Sequence, residues 1–136
     1  MKVDIINKTK FPIKKREIEK KASKAAGFFK HIAEISIVFV NKREIKKLNK
    51  IYRNKDLVTD VLSFSYSEDG KTAGEIIICY EVARSDAYQL GMRVYDMIDV
   101  LVVHGIVHIA GYDHKTVKQQ KEMEELEKKI HILINR

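Results

Sequence analysis

The sequence predicts an α+β fold, a small mixed four-stranded sheet packed on a buried central helix, in a single domain over residues 1–136. Three observations carry that expectation. The hydrophobic periodicities run strand, helix, strand, helix, two strands, then three helices. The segment from Arg93 to Ala110 is apolar on nearly every side, and a helix of that kind is buried. The chain is 45% hydrophobic, enough for one core, and contains no repeat, no low-complexity stretch and no Gly-, Ser- or Pro-rich linker.

Met1 to Asn7 alternates as a strand does. Pro12 can open a helix, since its missing N–H costs nothing in the first turn. A basic amphipathic helix follows over about Ile13–Phe29, with Ile18, Ala22, Ala25, Phe28 and Phe29 on its apolar side and Gly27 weakening its last turn. Ile35–Val40 is β-branched and apolar, a strand. Asn41 caps a short helix through about Asn49, and Arg53-Asn54-Lys55-Asp56 reads as polar loop. Asp60–Tyr66 and Gly74–Tyr80 read as a hairpin about the turn Ser67-Glu68-Asp69-Gly70. A helix over about Glu81–Leu90 closes at Gly91. Gly111 ends the buried helix, and Lys115 to about Ile134 forms the last one, with Val117, Met123, Leu126, Ile130 and Leu133 at helical spacing.

The net charge of +7 is unevenly spread. Residues 1–55 hold 17 Lys and Arg against 5 Asp and Glu, whereas residues 56–113 hold 3 against 10. A one-sided positive field of this kind suits polyanions, and the Lys-rich stretches 14–24 and 42–50 are its densest parts. Lys14, Lys15, Lys20, Lys21, Lys24, Lys46, Lys47 and Lys50 are therefore the candidate nucleic-acid contacts. The apolar runs are far too short to span a bilayer, and no export leader precedes the first strand. The single cysteine, Cys79, ends an apolar run and reads as a packing thiol. With no possible internal disulfide, the expected compartment is the cytoplasm.

Three of the five histidines fall within eleven residues, His104 to His114. His104 and His108 are four apart on the buried helix, so both imidazoles share one face, one turn apart. Gly111 lets the chain turn back and bring His114 to the same place. Three neutral imidazoles suit zinc best, with nickel or another divalent metal possible. With no cysteine nearby, the fourth position is left to water or substrate, as at a catalytic ion. Asp113 could fill that position or orient a ligand instead. His31 and His131 read as surface or core-edge residues. The spacing equals that of H-E-x-x-H-x-x-G-x-x-H zinc peptidases, but Gly105 stands where those enzymes carry their general-base glutamate, so amide hydrolysis is disfavoured. A glycine in a helix interior costs about 1 kcal/mol against alanine. Two returns are open: room for a bulky substrate beside the ion, or close helix packing.

The stretch His104 to His114 resembles the H-G-x-x-H-x-x-G-Y-D-H motif of the YbeY family of metal-dependent endoribonucleases. Tyr52-Arg53-Asn54-Lys55-Asp56, Thr59 to Phe64, Gly74 to Cys79 and Glu122 to Glu127 are similar to further stretches of that family, so the likeness covers most of residues 40–130. Val58 and Ser65 stand where the family often has proline. The resemblance implies a zincin-like fold and one zinc ion per chain on the three histidines. It implies hydrolysis of single-stranded RNA, maturation of the 3′ end of small-subunit ribosomal RNA, and ribosome quality control. It also carries Arg53 over as a catalytic residue; a guanidinium fork can hold a phosphate and offset charge there. Asp113 is the weaker catalytic candidate, as a proton acceptor. The alternative is a ribosome-associated RNA-binding factor whose ion only stabilises the fold, and a weaker third is a small-molecule metal hydrolase.

Overall fold

The computed structural model describes residues 1–136, and its nine elements follow the expected order. They are β1 (Lys2–Asn7), α1 (Lys15–Gly27), β2 (Ile32–Val40), α2 (Lys42–Arg53), β3 (Val61–Glu68), β4 (Lys71–Cys79), α3 (Tyr80–Gln89), α4 (Val94–Ile109) and α5 (Val117–Ile134). The strands form one mixed sheet in the order β1-β2-β4-β3. β1, β2 and β4 run parallel, and β3 pairs antiparallel to β4 at one edge.

Side-chain alternation divides the sheet between two cores. Ile35, Ile37 and Phe39 of β2 and Ile76 and Ile78 of β4 join the main core with α1, α4 and α5. Val38, Val40, Ile77 and Cys79 face the other way and form a smaller cluster with Leu62 and with Ile45 of α2. The sheet is thus covered on both faces, with α4 central to the larger one. Cys79 is a free, fully buried thiol in the smaller cluster, and burial pushes its pKa up. No helix is long and apolar enough to cross a membrane.

α4 settles closely on β4 through two glycines. A Cβ added at Gly105 would lie 2.8 Å from Cδ1 and 3.0 Å from Cγ1 of Ile76. A Cβ added at Gly74 on the strand would overlap Ile109. The close approach of helix to sheet expected as one return for Gly105 is observed.

Several boundaries differ from expectation for local reasons. α1 begins at Lys15 because the Lys15 N–H turns back to the Ile13 carbonyl (2.9 Å), which keeps residues 13 and 14 out of the helix. Asn41 caps α2 by accepting the Glu44 N–H at 2.9 Å. α2 does not stop at Asn49: that side chain is buried and donates to the Leu57 carbonyl at 3.0 Å, and the helix continues to Arg53. Arg53 is therefore the last helical residue, not a loop residue, and the helix closes at Asn54 in the left-handed region (φ 57°). The β3–β4 turn is tighter than the four-residue signal suggests. Asp69 (φ 52°) and Gly70 (φ 76°) alone make it, so pairing extends to Glu68 opposite Lys71.

Candidate metal centre

His104 and His108 occupy the last turns of α4, one turn apart on one side of the helix. The helix ends at Ile109, and Gly111 takes a positive φ of 108° that a side chain would resist. Its N–H bonds the His108 carbonyl (3.0 Å) and the Tyr112 N–H reaches back to Val107 O (3.3 Å), which folds the chain over the helix end. His31 Nε2 lies 3.1 Å from the Ala110 carbonyl and holds that bend from the side of β2, outside the centre. Thr116 then opens α5 with a capping box, its hydroxyl taking the Gln119 N–H at 3.1 Å.

The result brings His114 beside the helical pair. Ring centroids are 4.9 Å apart for His104–His108, 5.2 Å for His108–His114 and 6.1 Å for His104–His114. One ring nitrogen from each lies within 4.8 Å of the others. Two nitrogens on one tetrahedral zinc sit about 3.4 Å apart, so small ring rotations bring this set onto a single ion.

The protonation chemistry agrees. Burial lowers the pKa of His108 below its ordinary value, and the neighbouring His104 and His114 rings lower it further. The neutral imidazole, which is the form that binds metal, is favoured. His104 Nδ1 lies 3.2 Å from Oε2 of Glu127 on α5. A carboxylate can only accept, so Nδ1 carries the proton and Nε2 keeps its lone pair. Glu127 was missed at the sequence level. Its signal is positional: with Met123, Ile130 and Ile134, all buried, it lies on one line of α5, a carboxylate on an apolar stripe.

The donors open into a cavity of about 590 Å³ that Arg53, Thr59, Asp60 and Ser63 line from the opposite side. Arg53 reaches it from the end of α2, across the β3 edge, and also lines a smaller hollow with Ser63 and His108. Asp60 is a cavity carboxylate that sequence reasoning did not single out. One of its oxygens accepts the Val61 N–H (2.8 Å) and faces the Thr59 hydroxyl (3.3 Å), an arrangement that shapes the start of β3. Asp113 accepts the His114 N–H at 2.7 Å and its Oδ1 stands 3.4 Å from His114 Nδ1. That backbone hydrogen bond, aided by Lys115, lowers its pKa.

The candidate RNA-binding lysines separate into two groups. Lys46 and Lys50 lie on α2 along the line that ends at Arg53, with Lys47 close beside it. Lys20, Lys21 and Lys24 instead face a groove beside Ile134 and Arg136. α5 has 18 residues, so at about 1.5 Å per residue that groove is about 27 Å along the helix from the end next to His114. Lys21 is held by Asp99 of α4 at 2.8 Å, and Lys14 lies over the Tyr95 ring at 5.2 Å. Lys15 sits at the first turn of α1.

The family model described as Endoribonuclease YbeY matches residues 4–135. A protein of Staphylococcus carnosus named Endoribonuclease YbeY is 43% identical over 100 residues, which is 67% of this chain and 65% of that protein. One of the same name from Bacillus licheniformis is 41% identical over 110 residues, 72% of this chain and 70% of the relative. The first of these matches therefore spans just under two thirds of the relative's length. Among solved structures, the solution structure of TM1509 from Thermotoga maritima superposes with a TM-score of 0.71 at 28% identity, covering 97% of this chain and 88% of the other.

Proposed function

The chain belongs to the Endoribonuclease YbeY family, and from that premise we propose that it is a metal-dependent endoribonuclease cutting single-stranded RNA at the cavity of His104, His108 and His114. The observation that carries this reading is the histidine trio itself. Its three donors converge within 4.8 Å and open onto a cavity, and a guanidinium reaches in from the other wall. A purely structural ion would be closed in by four protein ligands, whereas here His114 is about half exposed (55%). We assign the ion as one zinc per chain on the basis of the all-imidazole donor set. The substrate is assigned as the 3′ region of small-subunit ribosomal RNA, with a role in ribosome quality control in the cytoplasm, from the family resemblance.

When bound, the ion would supply Lewis acidity at the phosphoryl group and a water activated near neutral pH. The remaining work falls to the chain. Arg53 clamps the scissile phosphate with its planar fork and offsets charge that develops on it. Glu127 fixes the tautomer and orientation of His104. Asp113 steadies His114 through the backbone and ring contacts. Positioning is therefore the role we give it. Gly105 leaves no helix carboxylate beside the site, which suits a phosphodiester substrate better than an amide.

The test is His114→Ala in purified protein, with metal content and cleavage of a single-stranded RNA measured on one sample. Loss of both is expected; full retention of both removes the site assignment. Chelation of the wild-type protein should abolish cleavage and leave the melting temperature nearly unchanged. Collapse of the fold on chelation would favour the structural-ion alternative.

A further inference from the structure

The inward-facing stripe of α2, Ile45, Leu48, Asn49 and Tyr52, runs along one line of the helix. Ile45 and Asn49 are buried and Leu48 is half-buried. Tyr52, its last member, is 63% exposed. It is not loose: Phe64 of β3 braces it edge-on, with ring centroids 5.1 Å apart and planes at 62°. The next residue is Arg53, which enters the metal-centre cavity. Behind it on α2, Lys46 and Lys50 are exposed and in no ion pair. Exposed Leu57 (64%) adds apolar surface from the loop that Asn49 ties down.

A fixed, water-facing aromatic ring next to a phosphate-sized cation, at the end of a cationic line, is the combination that unpaired nucleotides use. The ring takes the base and the cations take the backbone. Bases inside a duplex are stacked on both faces and offer none to such a ring. We propose that Tyr52 is a base-stacking platform for the nucleotide next to the phosphate held at Arg53, and that it selects unpaired RNA over duplex. This rests on the endoribonuclease reading above and adds to it a specificity-determining residue outside the metal centre.

The experiment measures binding, in chelator, of a fluorescent single strand of about 12 nucleotides, alongside the same strand with abasic positions scanned along it. Wild-type protein should bind the intact strand roughly 5- to 100-fold better than the strand lacking the base at one position. Tyr52→Phe should keep that discrimination. Tyr52→Leu, which still covers Phe64, should lose it while holding the same metal content as wild type. Equal binding of intact and abasic strands by the wild type, or discrimination that survives in Tyr52→Leu, overturns the platform. Absence of both binding and cleavage of RNA by the metal-loaded wild type overturns the endoribonuclease reading itself, a distinct outcome.

Discussion

Ile76 of β4 occupies the space into which any side chain at position 105 would point: a Cβ there would stand 2.8 Å from Ile76 Cδ1 and 3.2 Å from Cγ2. Gly105 is thus an adaptation of helix to sheet directly beneath two of the three histidines.

Gly105→Ala should therefore destabilise the protein even though alanine is the better helix former. Overpacking costs about 1–3 kcal/mol, and the helix propensity gain returns about 1 kcal/mol, so a net loss of about 1 kcal/mol is expected by denaturant titration. In the Ile76→Val background, which removes the offending methyl, the alanine should cost less by at least about 0.5 kcal/mol. An additive double variant would show that the strain is absorbed elsewhere.

Glu127→Ala should lower metal affinity about 10- to 100-fold with little change in the melting temperature of the metal-free protein. A competition titration with a chromophoric chelator reads this directly. Glu127→Gln, whose amide oxygen still accepts from Nδ1, should recover part of the affinity. Wild-type affinity in both variants would mean that packing alone orients His104.

Stability of the metal-free protein should depend on pH through His108. Burial and the two adjacent imidazoles hold its folded pKa below the ordinary 6.5. Between those two values the unfolded chain binds a proton that the folded chain does not, so stability rises with pH in that window. The contribution is complete above 6.5 and is lost as pH falls toward the folded value. His108→Gln should thus show a smaller drop in melting temperature between about pH 7.5 and about pH 5 than wild type. A parallel dependence in the two proteins would contradict this.

Lys21 serves the fold before it serves any ligand. Its Nζ lies 2.8 Å from Asp99, whose side chain is only 10% exposed. Lys21→Ala leaves that carboxylate buried and unpaired, and should cost about 1–3 kcal/mol, discounted because the lysine side is partly solvated. Lys21→Met with Asp99→Leu should restore most of it. Salt-dependent RNA binding should change far more in Lys50→Ala than in the restored double variant.

Much of this architecture was legible because it follows from periodicity. The all-round apolar stretch around Val100 to Val107 could only be a buried helix, and the run Ser67-Glu68-Asp69-Gly70 marked a turn, though a longer one than forms. The histidine trio was legible because helical spacing and a helix-ending glycine are local properties. What depends on distant partners was not. Nothing near Glu127 in sequence says that His104 lies across from it, and nothing near Asn49 says that its amide is needed by Leu57 and lets α2 run on to Arg53. The lysines of α1 and α2 look alike as sequence, yet packing sends one set to the far end of α5 and the other toward the cavity.

The strand order β1-β2-β4-β3 has a consequence for the newborn protein. The cavity needs Arg53 and the β3 edge from the middle of the chain, the donors from the end of α4 and the bend after it, and Glu127 from α5. A polypeptide emerging from its amino end would have all four strands in hand before its first imidazole donor appears, and the carboxylate that steadies that donor appears later still. Cation capture would then come near the end of synthesis, so nuclease potential would be withheld from partly made chains still attached to the machinery that this protein is proposed to tend.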